Sequence, residues 1–150
     1  MTNFQRTNAD NADFHALVTL LDEDLQIRDG EEHAFYAPFN KLVNIKHVVV
    51  CYVDEKAIGC GAFRESDQHT IEIKRMFVSA AYRGKKIGMH ILNELEIWAA
   101  ELNYSAAILE TGIKQPEAIR LYEKAGYHRI DNYGHYKNAA NSVCMAKKML

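Results

Sequence analysis

The clearest chemical signal in the sequence is a basic, glycine-containing turn, Arg83-Gly84-Lys85-Lys86-Ile87-Gly88. It follows a run that reads as a strand, Thr70 to Val78, and an amphipathic helix begins within it, near Lys86. The first turn of a helix leaves backbone N–H groups without intrahelical partners, and the helix dipole places positive charge there. A turn of this kind is typical of a site for an anion, most often a phosphate.

Two other kinds of site are not indicated. A P-loop requires Gly-x-x-x-x-Gly-Lys-Ser/Thr, and the spacing of Gly84 and Gly88 does not supply it. The cysteines Cys51, Cys60 and Cys144 match no zinc spacing and lie in apolar, strand-like runs, which predicts buried thiols. The histidines form no closely spaced pair, so we expect no metal site.

Size and composition indicate one globular domain, residues 1–150. The chain has 150 residues, of which 48% are hydrophobic and 25% charged. A formal net charge of −2 argues against a general nucleic-acid binder. No run approaches the ~18 apolar residues of a membrane span, and the polar start Met1-Thr2-Asn3 does not resemble a signal peptide. We therefore expect a cytoplasmic protein with no membrane partner.

Alternating and apolar runs predict the strands of a sheet. The predicted strands are Phe4–Thr7, His47–Val53, Ala57–Arg64, Thr70–Val78, Ser105–Thr111, Tyr127–Ile130 and Ser142–Lys148. Turns are predicted at Asp54–Lys56 and Ser66–Gln68. The unit from Thr70 to Thr111 predicts a right-handed crossover whose two strands are parallel.

Apolar residues at helical spacing predict the helices that flank this sheet. Asn8 or Asp10 is the expected cap of a first helix, and a shorter helical piece is expected from Glu31 to Leu42. The next helix runs from about Lys86 to Leu102, and a last one begins at Pro116 and stops at Gly126. The order of elements predicts an α+β fold with a mixed, mostly antiparallel central sheet flanked by helices.

Two blocks of the sequence carry a family pattern. The first ends in Arg83-Gly84-Lys85-Lys86-Ile87-Gly88 and is similar to the motif Arg/Gln-x-x-Gly-x-Gly/Ala. The second runs from Gln115 to Tyr127 and is similar to Asn-x-x-Ala-x-x-Leu-Tyr-x-x-x-Gly-Phe. Together they resemble the GNAT superfamily of acyl-CoA-dependent N-acyltransferases, and the order of elements agrees along nearly the whole chain. The chain is identified as a small, stand-alone, bacterial-type member.

Three positions depart from the family pattern. Lys86 stands where the first glycine of the loop motif is usual, Gln115 where asparagine is usual, and Tyr127 where phenylalanine is usual. The last two changes are conservative. The side chain of Lys86 either crowds the pyrophosphate or points outward and adds positive charge.

The resemblance implies that acetyl-CoA is the cofactor and CoA the product. It implies that backbone groups of the loop hold the pyrophosphate, and that Met76 and Val78 hold the pantetheine arm and the acetyl carbonyl. A parting of the two strands that flank the crossover leaves those backbone groups unpaired in the family. The implied cofactor-binding residues are Met76, Phe77, Val78, Arg83, Gly84, Lys85, Lys86, Ile87, Gly88, Met89, Gln115 and Tyr122.

Two residues are candidates for proton transfer. The resemblance makes Tyr122 the general acid that protonates the leaving thiolate; the alternative is a core tyrosine on an apolar stripe. Glu72 is the candidate general base, because it lies between Ile71 and Ile73 in an apolar strand and matches the position of the family's base. The alternative is that Glu72 pairs with Lys74, two residues along the same strand face.

The acceptor is expected to be a primary amine on a small molecule or a peptide. The acidic segment Asp22–Glu32 either attracts a cationic amine or is a solvated loop. Four tyrosine and phenylalanine residues are further candidates for the acceptor side: Tyr36, Phe39, Tyr133 and Tyr136. A non-catalytic acyl-CoA sensor on the same fold is the alternative function. Dimers are common in the family, and a monomer and a homodimer both remain open.

Overall fold

The computed structural model describes residues 1–30 and 44–149. The strands are β1 (Thr2–Thr7), β2 (His47–Val53), β3 (Lys56–Asp67), β4 (Thr70–Val78), β5 (Ala106–Gly112), β6 (His128–Ile130) and β7 (Ser142–Lys148). The α-helices of the described residues are α1 (Ala12–Asp29), α2 (Ile87–Glu101) and α3 (Pro116–Lys124). No helix in this part of the chain is long and apolar enough to cross a membrane.

The strands form one mixed sheet in the order β1-β2-β3-β4-β5-β7-β6. Every neighbouring pair is antiparallel except β4 and β5, which are parallel, as the crossover pattern predicts. The predicted α+β fold with a mixed, mostly antiparallel sheet is therefore confirmed. The bounds of β2, β4 and β7 are those predicted, whereas β3 continues through Asp67 into the predicted turn.

Helix α1 begins one residue beyond the predicted caps. Asn11 is its N-cap, and its Oδ1 accepts a 2.9 Å hydrogen bond from the backbone N–H of Phe14. The expectation of Asn8 or Asp10 was wrong, because the Asn8 side chain instead accepts from the backbone N–H of Asp10. The predicted piece from Glu31 to Leu42 lies outside the described residues.

Helices α1 and α2 cover opposite faces of the sheet. Val48 and Val50 pack in one cluster with α1, whereas Val49 and Cys51 pack in another with α2, and alternate residues of a strand face opposite sides. Gly61 of β3 lets α2 approach closely, since a Cβ there would lie 2.8 Å from a methyl carbon of Ile91. The sheet is thus the middle layer of the fold, with α1 on one face and α2 on the other.

Candidate active site

The strands β4 and β5 part halfway along their length. They pair at Thr70 with Ala106, at Ile71 with Ala107 and at Glu72 with Ile108, and no further. Beyond Glu72, β4 pairs only with β3, while β5 pairs with β7 as far as Gly112. The pairing pattern confirms the implied parting and leaves the edge of β4 from residue 73 to 78 unpaired on its β5 side.

A bulge in β4 lies within this unpaired stretch. Arg75 has φ of 60°, and the register with β3 shifts there, from Ala62 opposite Lys74 to Cys60 opposite Phe77. The Arg75 side chain is 2% exposed, and its Nη2 donates 2.5 Å to Asp22 Oδ1 of α1. The bulge therefore fixes α1 against the sheet beside the point where the strands part.

A cavity of about 840 Å³ lies in the gap between the strands. Its walls come from α1, the unpaired part of β4, the Arg83–Met89 turn, the end of β5 and helix α3. All of the predicted cofactor-binding residues line it except Lys85. The Lys85 Nζ lies 5.5 Å above the centre of the Tyr82 ring. Residues of both family blocks, the Arg83–Gly88 motif and the Gln115–Tyr127 block, thus line one cavity.

The turn before α2 contains two residues with positive φ. Gly84 has φ of 78°, and Lys86, the N-cap of α2, has φ of 64°. This backbone explains why glycine is usual at the Lys86 position, since a left-handed conformation costs an ordinary residue roughly 1 kcal/mol. The Lys86 side chain is exposed at the rim of the cavity.

The first turn of α2 is suited to an anion. The first intrahelical hydrogen bond is donated by His90 to the carbonyl of Lys86, so the N–H groups before it have no intrahelical acceptor. That turn contains no acidic residue. Arg83 secures the preceding loop, because its Nε donates 2.8 Å to the carbonyl of Val78 at the end of β4.

Tyr122 of α3 faces the same cavity and is 6% exposed. Burial, and after it the negative charge of Glu110, raise the pKa of this phenol well above its ordinary value. The phenol therefore keeps its proton at physiological pH and can act as a hydrogen-bond donor. Gln115, at the N-cap position of α3, also lines the cavity and makes no side-chain capping bond.

Glu72 of β4 is buried, with an exposed fraction of 4%. Its Oε1 accepts 2.8 Å from Arg64 Nε, and its Oε2 accepts 2.7 Å from the Tyr133 hydroxyl. Both carboxylate oxygens are therefore engaged by neighbouring side chains, and Glu72 is not among the described residues that line the cavity. Its role as general base stays a prediction.

Glu110 is a residue that the sequence reasoning missed. It lies on β5, two residues beyond the last pair with β4, and it lines the cavity. Its charge raises the pKa values of Tyr122 and Tyr136, which line the same cavity. The available signal was the one used for Glu72, a single acidic residue in an apolar strand.

The acidic segment lies in α1 as far as Asp29, so the alternative of a loop is wrong for that part. Asp22 pairs with Arg75, and Asp24 pairs with Arg28 at 3.2 Å. Arg28 also contacts Glu117 of α3, and Asp24 and Arg28 both line the cavity. Arginines therefore offset part of the acidic charge.

The aromatic candidates for the acceptor side do not all lie at the cavity. Tyr136 lines the cavity and is 4% exposed. Tyr133 is not among the described lining residues and instead donates to Glu72. Tyr36 and Phe39 lie outside the described residues.

The cysteines are buried, as predicted. Burial raises the pKa of Cys51 to about 11 and that of Cys60 to about 12. Burial also raises the pKa of Cys144. Because the thiolate is the nucleophilic form, none of the three is suited to attack a thioester.

Comparison with known proteins assigns the family. Residues 14–127 match the Acetyltransferase (GNAT) family. The chain belongs to this GNAT family. Members of the family use acetyl-CoA as their co-substrate. An IAA acetyltransferase of Azospirillum brasilense is 37% identical over 93 residues, which is 61% of this chain and 61% of that protein. The chain thus matches less than two thirds of the length of this relative.

Two solved structures place the GNAT fold over the whole chain. A proposed acyl-CoA N-acyltransferase of Klebsiella pneumoniae has a TM-score of 0.84 and 27% identity, covering 100% of this chain and 99% of that one. The PaiA N-acetyltransferase of Thermoplasma acidophilum, solved with coenzyme A, has a TM-score of 0.73 and 16% identity, covering 99% of each chain. The second likeness is one of fold alone.

Proposed function

We propose that this single domain is an acetyl-CoA-dependent N-acetyltransferase that passes the acetyl group directly to a primary amine within a ternary complex. One observation carries the proposal: a single cavity joins the Arg83–Met89 turn, the unpaired edge of β4, and Tyr122. A phosphate grip, an oxyanion site and a proton donor are what acyl transfer from a thioester requires.

Three buried free thiols are consistent with the reducing cytoplasm.

The Arg83–Met89 turn would hold the pyrophosphate of acetyl-CoA, which supplies the acetyl thioester. The N–H groups of Ile87, Gly88 and Met89 point from the start of α2, where the helix dipole favours negative charge. Gly88 keeps this approach open, because its missing Cβ would already lie 3.4 Å from Leu121. A larger side chain at Gly88 would project into the cofactor path.

The unpaired edge of β4 would stabilise the developing oxyanion. A strand without a neighbour presents backbone N–H groups that need an acceptor. Met76 and Val78 lie on this edge and line the cavity. One of their N–H groups would donate to the carbonyl oxygen of the acetyl group as it gains charge, a contribution that commonly amounts to about 10²–10³ in kcat.

Glu110 is our candidate for the group that removes a proton from the amine. It lines the cavity where the strands part, whereas Glu72 is not among the described residues that line it. A general base has to reach the proton that it abstracts, so position is considered before pKa. Glu72 would then orient the wall of the site. The Glu72→Gln variant tests the alternative, that Glu72 is itself the general base.

Tyr122 would donate a hydrogen bond to the sulfur as the thiolate leaves. Its raised pKa keeps the phenol protonated, but it also makes complete transfer to a thiolate of pKa ~8.5 less favourable than for an ordinary phenol. Stabilising the thiolate by a hydrogen bond is therefore the main role that we assign to Tyr122. Direct transfer without a covalent enzyme intermediate fits the burial of all three cysteines.

A thiol-release assay with acetyl-CoA and a panel of amines tests this function. We expect amine-dependent release of CoA, with the acetylated amine identified by mass spectrometry. The cofactor site is tested separately by calorimetry, in which the Gly88→Leu variant should bind acetyl-CoA more weakly than the wild type does. Tight binding of acetyl-CoA without turnover of any amine would instead support a non-catalytic sensor.

A further inference from the structure

Tyr127, which stands where phenylalanine is usual in the family, lies directly against Tyr122. It follows the end of α3 and is 4% exposed. Its backbone N–H donates 3.0 Å to the carbonyl of Tyr122. The centres of the two rings lie 5.8 Å apart, with an angle of 65° between their planes, which is the edge-on arrangement that aromatic pairs prefer. Tyr127 therefore contacts Tyr122 through both its backbone and its ring.

The hydroxyl of Tyr127, which a phenylalanine would lack, is bound to Glu96 of α2. It donates 2.9 Å to Glu96 Oε2, and Lys147 of β7 donates 2.7 Å to Glu96 Oε1. The Lys147 Nζ also lies 5.6 Å from the centre of the Tyr127 ring. The Glu96 side chain is 12% exposed, and each of its oxygens has a partner. This network joins α2, β7 and the segment that follows α3.

The network restricts the position of the Tyr127 ring. Hydrogen bonds to a charged group are stronger than those between neutral groups, and here two of them meet on one carboxylate. Because the Tyr127 ring packs edge-on against Tyr122, a fixed Tyr127 also limits the positions that the Tyr122 ring can adopt. A proton donor has to lie within hydrogen-bond reach of its acceptor, so this restriction bears on the chemistry.

We propose that Tyr127 is a positioning residue for Tyr122, and that its hydrogen bond to the Glu96–Lys147 pair keeps the Tyr122 phenol directed at the sulfur of acetyl-CoA. This inference rests on the proposed function, in which Tyr122 donates to the departing thiolate. Tyr127, Glu96 and Lys147 are not among the described residues that line the cavity. The network therefore acts through Tyr122 and not by contact with a ligand. The alternative is that Tyr127 only packs in the core.

Tyr127→Phe tests the proposal with a small change, since it keeps the ring and removes only the hydroxyl. In the thiol-release assay with the best amine of the panel, we expect kcat to fall by about 3- to 10-fold, part of the ~100-fold that a 1 Å displacement can cost. The KM for the amine and the calorimetric affinity for acetyl-CoA should stay those of the wild type. A role in core packing alone would lower stability without this change in kcat.

The same substitution in the Tyr122→Phe background shows whether the effect passes through Tyr122. Without the Tyr122 hydroxyl there is no donor left to position, so Tyr127→Phe should change kcat there by less than about twofold, a clear departure from additivity. Tyr104→Phe is the matched control. It removes a hydroxyl that donates 2.7 Å to Glu65, and Tyr104 is not among the described lining residues, so kcat should be unchanged in both backgrounds.

Lys147 gives a second test at the other end of the network. Lys147→Met removes the cation from Glu96 and should lower kcat when Tyr122 is present but not in the Tyr122→Phe background. Lys147→Arg keeps the charge and should recover most of the loss. Full activity in Lys147→Met would show that the network does not position Tyr122.

The outcomes separate this role from the proposed function. An equal fall in kcat in both backgrounds, or an unchanged kcat in Tyr127→Phe, would overturn the positioning role and leave acetyl transfer standing. An unchanged kcat in Tyr122→Phe would do the same, because no donor would then need positioning. Absence of amine-dependent thiol release in the wild type, despite normal binding of acetyl-CoA, would refute the proposed function and the positioning role together.

Discussion

Glu72 and Glu110 occupy comparable places on the two strands that part, yet they have different surroundings. Each is an acidic residue in an apolar strand near the end of the pairing between β4 and β5. Glu72 is enclosed, with one oxygen on Arg64 and the other on Tyr133. Glu110 faces the cavity beside Tyr122 and Tyr136. Burial of a carboxylate therefore does not by itself identify a catalytic base, and whether the residue lines the cavity matters more.

The largest expected effect is that of Glu110→Gln. Removing the proton acceptor should lower kcat by roughly 10²–10⁴-fold, the usual contribution of general base catalysis. The measurement is steady-state thiol release with the acceptor identified by the panel. Calorimetric affinity for acetyl-CoA should stay near that of the wild type, because the change lies away from the Arg83–Met89 turn. A kcat within threefold of wild type would remove Glu110 from the mechanism.

The next largest effect is expected from Tyr122→Phe. Loss of the hydrogen bond to the thiolate should lower kcat by about 10²–10³-fold, comparable to the loss of one oxyanion donor. Since burial raises the pKa of Tyr122, the phenol should stay protonated beyond pH ~10. Ionisation of Tyr122 should therefore cause no fall in kcat below that pH. Unchanged turnover in the variant would leave Tyr122 a core tyrosine.

Glu72→Gln should act on stability more than on turnover. The change removes the charged partner of Arg64, and we expect the free energy of unfolding to fall by roughly 1–3 kcal/mol. Denaturant unfolding followed by circular dichroism measures this loss. Turnover should change by less than about tenfold, well short of a general base's usual contribution. If instead kcat fell as far as in Glu110→Gln while stability held, the assignments of the two carboxylates would be reversed.

The smallest effect is expected from Tyr133→Phe, which removes only the hydroxyl that donates to Glu72. The free energy of unfolding should fall by about 1 kcal/mol, the usual value of one hydrogen bond. The double variant with Glu72→Gln provides the control, because the two losses should be less than additive if the groups contact each other. Full additivity would show that the contact contributes nothing.

Much of this fold follows from local pattern. The apolar run His47–Val53 and the alternation Thr70–Val78 predicted β2 and β4 to the residue, and Pro116 predicted the start of α3. The cap of α1 was missed because the side chains of Asn8, Asp10 and Asn11 can all accept a capping hydrogen bond. The backbone conformation decides which of them accepts from the N–H of Phe14.

The decisive features of the site depend on long-range contacts. The bulge at Arg75 is a shift in the pairing of β4 with β3, and beyond Ile108 β5 pairs with β7 but not with β4. The partners of Glu72 come from β3 and from the loop that follows β6. No local pattern around Glu72 or Glu110 contains that information, and the family position that favoured Glu72 gave no reason to name Glu110.

The pH profile of kcat in saturated ternary complexes tests the central claim most directly, with the wild type, Glu110→Gln and Glu72→Gln measured together. If Glu110 is the base, the profiles of the wild type and Glu72→Gln level off at high pH. The profile of Glu110→Gln should instead keep rising with hydroxide concentration, because the amine then loses its proton to solvent. A plateau in Glu110→Gln together with a continuous rise in Glu72→Gln would contradict this account and return the catalytic role to Glu72.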